Sequence, residues 1–485
     1  LGKDWLNRFF LVEFVGNPSS SHIWSFDLKP KGASFELNTD IDFVSGILPT
    51  GIRFGTDGAL YAADWVNGWN TKNYGRVWKL DVAPDKNDLK SERAEVASIM
   101  KQKFSGLKED LLSTYLYHAD MRIRQRAEIE LANRGDRSYD LFKKVVGQKD
   151  NQLARVHGIW GLGILMDKNK PGSSKYATDL KALLDDTDEE IVAQSIKVLG
   201  DQKVNDAGVL IQPKLISSNP RIKFFACQAM GRLKQSGAFD DLVKVLIDNN
   251  DQDVYIRHAA ALALSRIGDA EKLASLASHN SRSARIGAVL ALRRLKSPLI
   301  KIFLIDQDDY IVAEAARAIN DDESIPDALP ELAKLLEQNR FTSEPIVRRA
   351  INANLRVGDD ASLQRLLTYS QRKDVDPVLA GEAMATIGTW ANPSETDRVD
   401  GRYRGVITRD AATVANRVKP VLGSLISSGH PSMLIAVSKL IGELKINDHN
   451  DDLLKLMSKN DSVDVRMAAL DALNQLQYPK VAEAI

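Results

Sequence analysis

Residues 253–268 read DVYIRHAAALALSRIG, and the pattern in this stretch decides the fold. Asp253 is followed by an aliphatic residue at the third position after it, by Arg257 at the fourth and by the small Ala260 at the seventh. An aspartate in this place predicts a helix start, because its carboxylate accepts hydrogen bonds from the unpaired amides of the first turn. The spacing therefore predicts a helix whose aliphatic residue faces a core and whose small residue lets a second helix approach.

The same string recurs eleven times along the chain, mostly at steps of about thirty residues, which is enough for two short helices and two turns. We expect the polar residue to cap the first helix of each pair. The eleven polar positions are Asp120, Asn151, Asp188, Asn219, Asp253, Ser281, Asp308, Ser343, Asp376, His430 and Ser462. Residues 107–485 are therefore predicted to be an α-solenoid of about eleven repeats, each buried against its neighbours.

The basic residues of the string predict a structural ladder, because an arginine can reach a carboxylate of the adjoining repeat. The residues assigned to this ladder are Asp120, Arg124, Arg155, Asp253, Arg257, Arg285, Asp308 and Arg466. Gly200, Gly231 and Gly268 follow apolar helical stretches, where a left-handed helix cap favours glycine.

The first 82 residues differ from the rest, since they hold five of the seven tryptophans and show no helical periodicity. Short strands are predicted at residues 8–15, 22–28, 34–44, 51–54, 59–65 and 76–82. Asp57 and Gly58 predict a tight turn between two of them. A small antiparallel β region at residues 1–82 and a linker helix at residues 83–106 are therefore expected before the solenoid.

Residues 54–65, FGTDGALYAADW, and residues 75–80, GRVWKL, resemble the last blade of the propellers of the glucose/sorbosone dehydrogenase-like family, and residues 9–37 resemble the blade before it. The repeats resemble HEAT repeats of the bilin-lyase-like type. Two blades cannot close a ring. The resemblance therefore implies upstream propeller blades and a native polypeptide that extends beyond Leu1.

Between Asp376 and His430 the step stretches to 54 residues, which predicts an inserted loop at residues 389–416. This insertion is similar to one in large secreted bacterial proteins that join a propeller, HEAT repeats and often a c-type cytochrome. The resemblance implies a periplasmic or secreted location. It also implies a parent protein that uses pyrroloquinoline quinone with calcium, or haem c on a domain absent from this chain.

The composition and the spacing of particular residue types argue against several classes of function. Lysine plus arginine equals aspartate plus glutamate, at 65 each, which argues against a nucleic-acid binder. No run of residues is apolar enough to predict a membrane span. The single cysteine, Cys227, excludes an internal disulfide and is predicted to be a buried, inert thiol. The seven histidines show no metal-ligand spacing, so no metal site and no cofactor are expected in this chain.

Two groups of residues are candidates for binding. Asp64, Trp65, Asn67 and Trp69 combine indoles with polar groups, which suits stacking on a sugar ring, although packing between blades is the alternative for Trp65.

The second group is Arg398, Arg402, Tyr403 and Arg404 in the insertion, residue types favoured at interface hot spots. Packing of the loop across its own repeats is the alternative here.

Three functions follow as hypotheses. The first is a non-catalytic, extracytoplasmic scaffold, the carboxy-terminal part of a larger dehydrogenase-like protein, with a concave solenoid face for a protein or polysaccharide. The second is a quinone-dependent sugar oxidoreductase whose active propeller lies mostly upstream. The third is a free-standing cytosolic HEAT adaptor. In none of them is this chain alone expected to oxidise a sugar.

Overall fold

The computed structural model describes residues 1–67, 73–168, 174–321, 325–427 and 429–481. The strands are β1 (Phe9–Glu13), β2 (His22–Lys31), β3 (Ser34–Ser45), β4 (Pro49–Phe54), β5 (Leu60–Asp64) and β6 (Arg76–Leu80). They form two antiparallel three-stranded sheets in the orders β1-β2-β3 and β4-β5-β6. Gly58 takes a φ of 77° in the predicted turn between β4 and β5, a conformation that glycine adopts without strain.

The chain divides into two compact units, Leu1–Ile267 and Gly268–Ile485. The first unit holds both sheets and the helices α1 (Lys90–Met100), α2 (Glu109–Tyr115), α3 (Met121–Asn133), α4 (Tyr139–Gly147), α5 (Gln152–Lys168), α6 (Ser174–Ala182), α7 (Glu189–Asp201), α8 (Gly208–Ile211), α9 (Pro220–Arg232), α10 (Phe239–Asn249) and α11 (Val254–Ile267).

The second unit holds the helices α12 (Ala270–Ser275), α13 (Arg282–Leu295), α14 (Asp309–Asn320), α15 (Leu329–Ala333), α16 (Glu344–Val357), α17 (Asp360–Ser370), α18 (Pro377–Gly388), α19 (Ala411–Ile426), α20 (Pro431–Glu443), α21 (Asn450–Lys459) and α22 (Val463–Gln475). Among the described residues no helix is long and apolar enough to cross a lipid bilayer.

The helices form hairpins that each end in one of the helices α3, α5, α7, α9, α11, α13, α14, α16, α18, α20 and α22, here called the inner-row helices. Within each unit, successive inner-row helices pack side by side. The predicted polar residues stand at the amino ends of these helices, and all but Ser343 and His430 accept a backbone amide hydrogen bond there. The expectation that they cap the first helix of each pair is wrong, since they cap the second.

The repeat positions behave as their residue types require. The residue three positions after each cap is buried, as at Ile123, Ile191 and Ile311, and so is the small residue at the seventh position. The predicted fold class, a mainly helical solenoid preceded by small antiparallel sheets, is confirmed.

Two of the three predicted glycine caps are wrong. Gly200 and Gly231 lie inside α7 and α9, and only Gly268 follows its helix in a left-handed conformation, with a φ of 86°. Lysines take the left-handed position after α7 and α9, where Lys203 and Lys234 have φ values of 54° and 51°. The next residue in each case closes a hydrogen bond back to the helix, as in a Schellman motif.

The insertion is shorter than predicted. Residues 389–410 form turns, bends and irregular chain with one β-bridge between Thr396 and Tyr403, but α19 begins at Ala411 because the side chain of Asp410 caps its first amides. The insertion therefore lies between α18 and the helix pair α19 and α20.

One long-range contact ties the first sheet to the solenoid of the same unit. The backbone amide of Ala33, in the turn between β2 and β3, donates to Asp253 Oδ2 at 2.7 Å. The other carboxylate oxygen of Asp253 accepts the amides of Tyr255 and Ile256 at the start of α11. We call the contact of Gly32 and Ala33 with Asp253 the clasp.

Candidate binding surface on the inner-row helices

A connected set of side chains crosses the inner-row helices of the first unit. Glu128 on α3 meets His157 on α5, with 2.6 Å between Oε2 and Nδ1, and both side chains are buried. The ring of His157 packs edge-on against Trp160, one helical turn further along α5. A buried carboxylate and imidazole that satisfy one another hold both helices in register.

The set continues across α7 and α9. Trp160 Nε1 donates to Gln194 Oε1 at 2.9 Å, and Gln194 Nε2 donates to Glu190 Oε1 at 2.7 Å. Arg221 Nε then donates to Glu190 Oε2 at 2.6 Å, and its guanidinium lies over the ring of Phe225. Four successive inner-row helices are thus linked by polar side chains, which we call the inner-row network.

A groove of about 470 Å³ lies beside this network. Its floor includes Trp160 and Ile164 on α5, which are both partly exposed. Gly163, also in the floor, allows α7 to pack closely against α5. An added Cβ at this position would lie 2.9 Å from Val198 Cγ1. The groove therefore presents an aromatic and an aliphatic side chain on a rigid pair of helices.

The rim of the groove carries charges of both signs. Lys197 and Asp201 on α7 form an ion pair at 2.9 Å, and Arg232 Nε lies 3.0 Å from the other oxygen of Asp201. Asp167 stands at the end of α5. An apolar floor with a charged rim is the usual arrangement of a protein-binding hot spot.

Most residues of the groove and of the inner-row network were not predicted from the sequence. The sixth position after the cap is polar in the first three repeats, at Arg126, His157 and Gln194, whereas Phe225 and Ala259 occupy it in the next two. The polar residues at this position of the first three repeats were the signal from which a polar surface could have been predicted.

The predicted sugar-stacking residues lie elsewhere, at the end of β5. Asp64 is buried, and its carboxylate accepts hydrogen bonds from Leu48 N at 3.0 Å, Val66 N at 2.8 Å and Trp78 Nε1 at 2.9 Å. Burial alone would raise the pKa of Asp64, but these hydrogen bonds outweigh it and lower that pKa. The side chain thus joins β5 to the chain on both sides of it.

The other members of this group are less enclosed. Trp65 and Asn67 are exposed, and Trp69 lies outside the described residues. No group of three or more His, Cys, Asp or Glu side chains in the described part of the chain could hold a metal ion. Both carboxylate oxygens of Asp64 are already engaged in hydrogen bonds to its own sheet and the adjoining loop.

The predicted residues of the insertion divide into two kinds. Arg404 packs the loop onto its own unit, because it donates to Asp397 Oδ2 at 3.1 Å and to the carbonyl of Asn320 at 2.8 Å. Asn352 on α16 also donates to Asp397, at 2.9 Å.

Arg402 and Tyr403 stand at the exposed tip of the insertion, with Tyr403 68% exposed. Arg398 lines a separate cavity, which is described below.

The arginines assigned to the structural ladder make two kinds of contact, one with the next repeat and one within their own repeat. Arg155 reaches Asp186 of the next repeat, with 3.3 Å between Nη1 and Oδ1, and Arg285 reaches Asp306 at 2.7 Å. The remaining three arginines contact their own repeats instead. Arg124 and Arg466 donate to backbone carbonyls just before their helices, and Arg257 lies 3.5 Å from Asp251.

The three acidic residues assigned to the ladder all stand at helix caps. Asp120 pairs with Arg122 at 2.7 Å, and Asp308 pairs with Arg282 of the preceding repeat. Asp253 belongs to the clasp.

A further cavity of about 660 Å³ lies among the first residues of the chain, α1 and the start of α3. Two of its cations already serve the fold. Arg122 donates to the carbonyl oxygens of Phe54 and Gly55, and Arg93 donates to that of Asp57 and pairs with Asp81. These arginines fasten the second sheet to the first helices.

Comparison with known proteins agrees with the repeat assignment. The family model for HEAT repeats matches residues 210–293. No curated protein sequence matches the chain. Among solved structures, an engineered protein is similar over 76% of this chain and 99% of its own, at 17% identity and a TM-score of 0.28.

Two natural solenoids are similar as well. The karyopherin Kap121p, solved with the extreme C-terminus of the protein phosphatase Cdc14p, has 12% identity and a TM-score of 0.43, and the match covers 82% of this chain and 48% of that one. Importin beta has 11% identity and a TM-score of 0.39, over 79% and 56%. This chain thus spans about half the length of both. The HEAT-repeat match concerns residues 210–293, and the described helices as a whole form an α-solenoid.

Proposed function

We propose that this chain is a non-catalytic scaffold that binds a protein through the inner-row helices of its first unit. The observation that carries the proposal is the groove at Trp160 and Ile164, whose floor is apolar and partly exposed while its walls are fixed by the inner-row network. A pre-organised aromatic anchor loses little side-chain entropy on binding. Tryptophan is also enriched among the residues that dominate protein interfaces.

The test is site-specific photo-crosslinking in the natural host. A photoreactive amino acid is placed at Ile164 in the groove and, as the matched control, at Val209, which is 77% exposed on the short helix α8 of the same unit. We expect a discrete crosslinked protein from position 164 that is lost when Trp160→Ala is added. Equal crosslinking from both positions, or none from position 164, would overturn the proposal.

We further propose that the two sheets pack against upstream blades of a dehydrogenase-like parent in the periplasm or outside the cell. One face of the first sheet supports this, since Phe9, Leu11, Phe35 and Leu37 are each at least 50% exposed. Leu28 lies opposite Leu37 across the strands. Exposed apolar surface of this kind marks a face that another structure covers.

The intact mass of the polypeptide from its natural source tests this second proposal. We expect a mass well above the 53.7 kDa of this chain. In the longer protein, oxidative footprinting should find Leu11 and Leu37 protected, whereas in this chain alone they should be labelled. Labelling at both residues in the natural protein would contradict the proposal.

A further inference from the structure

A second cavity lies in the second unit, between the insertion and two inner-row helices. It has a volume of about 330 Å³, near the lower end for small-molecule sites. Its walls come from α18, from α20 and from Ser394 and Arg398 of the insertion. The inserted chain thus turns a shallow face between two helices into a recess.

Arg398 lines this recess and is exposed. No hydrogen bond or ion pair joins its guanidinium to another described residue, although five N–H groups are available. The residue reaches solvent, yet the surrounding protein desolvates the guanidinium and lowers its pKa, an effect that Glu382 opposes and Arg348 reinforces. Because Arg398 is exposed, its unused N–H donors are open to an anion that enters the cavity.

The neighbouring arginines of the insertion show the contrast. Arg404 is paired with Asp397 and Asp400, and Arg409 donates to the carbonyl oxygens of Trp390 and Leu355. The loop therefore supplies partners for the arginines that hold it in place. Arg398 is left to face the cavity.

A second cation enters from α20. Lys439 lines the same cavity, and within the described residues it has no ion pair closer than 4.0 Å. Glu443, one turn further along α20, adds one carboxyl, whose pKa is raised by burial because the opposing charge of Lys439 is the smaller effect. With Glu443 ionised, the lining carries two positive charges against one negative charge.

Hydroxyl groups complete the recess. Thr389 donates to the carbonyl of Thr386, and the Ser394 hydroxyl lies 3.0 Å from that of Thr396. Each hydroxyl oxygen has two lone pairs and one hydrogen, so these groups add polarity without adding charge.

We propose that this cavity binds a carboxylate group through Arg398 and Lys439. A guanidinium matches the planar carboxylate with two parallel hydrogen bonds, and the single net positive charge of the lining suits a singly charged group better than a phosphate dianion. The carboxylate comes either from a free organic acid or from an acidic side chain of a bound protein. This site lies in the second unit and the groove at Trp160 lies in the first, so the failure of one proposal leaves the other intact.

Saturation-transfer difference NMR tests the site with defined probes. Butyrate represents a free acid, N-acetyl-glutamate amide represents a side chain, and N-acetyl-glutamine amide is the neutral control. We expect saturable binding of at least one carboxylate probe and none of the neutral control. Preference between the two carboxylates identifies the source.

Variants of the lining residues then test whether the carboxylate binds in this cavity. Arg398→Gln should weaken carboxylate binding about tenfold and Lys439→Gln about threefold, because each removes a charge-assisted contact. Glu443→Gln should strengthen it about threefold, because it removes a like charge. Arg402→Gln removes the same charge from the same loop outside the cavity and should change nothing.

Three results would overturn the site. They are a failure of both carboxylates to bind, an equal signal from the neutral control, and an equal loss in Arg402→Gln and Arg398→Gln. The gain expected for Glu443→Gln cannot come from unfolding, so it separates the site from a loss of structure.

Discussion

At the scale of single residues, the spacing of the inner-row helices depends on positions that have no side chain. An added Cβ at Gly231 on α9 would lie 2.6 Å from Ala263 Cα on α11, and one at Gly200 on α7 would lie 2.9 Å from Ala229 Cα on α9. Backbone atoms cannot rotate away as a side chain can. These two glycines therefore allow the close packing that the repeats require.

Gly231→Ala should lower the free energy of unfolding by up to about 2 kcal/mol. Forcing the helices apart costs about 1 to 3 kcal/mol, and the better helix propensity of alanine returns about 1 kcal/mol of it. Gly237→Ala is the matched control, because nothing lies within 4 Å of an added Cβ there. Urea denaturation should separate the two variants, and equal stability would show that α9 and α11 can move apart freely.

The Arg155–Asp186 pair predicts a pH-dependent stability. The hydrogen bonds from Arg155 lower the pKa of Asp186, and both side chains are at least 92% buried. A carboxyl with a lowered folded-state pKa stabilises the protein above its unfolded pKa of about 4, and that contribution is lost as the pH falls through the folded-state pKa. Asp186→Asn should therefore cost about 2 to 4 kcal/mol at pH 7, because it leaves a buried guanidinium without a counter-charge.

The difference between Asp186→Asn and the unaltered protein should begin to shrink below about pH 4, where the carboxyl of the unfolded chain takes up a proton, and should continue to shrink until the pH falls below the lowered pKa of the folded protein. Asp185→Asn changes the adjacent residue, whose side chain is 91% exposed and pairs with Lys214, so it should cost less than about 1 kcal/mol. Chemical denaturation of the three proteins at pH 3, 5 and 7 measures both effects. A cost for Asp186→Asn that does not vary with pH would contradict the pairing.

At the scale of elements, the repeated string predicted the inner-row helices well, because it combines a cap, a buried aliphatic residue and a small residue at fixed spacing. The string did not reveal whether it begins the first or the second helix of each hairpin. From the sequence alone, a helix can form its hairpin either with the helix before it or with the helix after it. The glycine caps failed for a different reason. A glycine near the end of an apolar helix serves equally for a left-handed cap or for close helix packing, and only the neighbouring helix decides between them.

The clasp predicts the effect of one substitution in the β2–β3 turn. Gly32 has a φ of 56°, and an added Cβ would lie within 2.2 Å of Asp253 Oδ2, the atom that accepts the Ala33 amide. Gly32→Ala should release the turn from α11, so the Ala33 amide should exchange with deuterium at least tenfold faster, a change of about 1.4 kcal/mol in local opening.

Gly46→Ala is the control for Gly32→Ala. Gly46 also has a positive φ, 79°, but nothing lies within 4 Å of its added Cβ. Both variants carry the same backbone strain, and only one meets Asp253. Equal exchange at Ala33 in the two variants would show that strain alone opens the turn.

At the scale of the whole molecule, the single cysteine reports on the first unit. Cys227 on α9 is fully buried, and burial raises the pKa of its thiol to about 12. In the native protein at pH 8 it should not react with Ellman's reagent, because almost no thiolate forms and the thiol is covered. Val209→Cys, at an exposed position, should react at once.

Urea should uncover Cys227 along a curve that differs from the loss of helical circular dichroism. The thiol follows only the first unit, whereas the dichroism follows both, and repeat arrays need not unfold in one step. Coincident curves would show a single cooperative transition for all repeats.

The candidate groove was harder to predict than the fold. His157, Trp160 and Gln194 become a surface only when α5 and α7 lie side by side, and their partners Glu128 and Glu190 come from repeats about thirty residues away. A single sequence carries no record of which polar residues of successive repeats will meet. Arg398 was noted from its residue type alone, but its lack of a partner is a property of the folded insertion.

The clasp also sets the order in which the first unit can form. It joins residues 220 positions apart, whereas contacts between successive repeats are local and form quickly. On a ribosome that adds about 5 to 20 residues per second, the β2–β3 turn waits roughly 10 to 45 seconds before Asp253 is made. During that time the backbone amide of Ala33 lacks the acceptor that Asp253 provides. The first sheet therefore gains this anchor only after about 220 further residues have been synthesised.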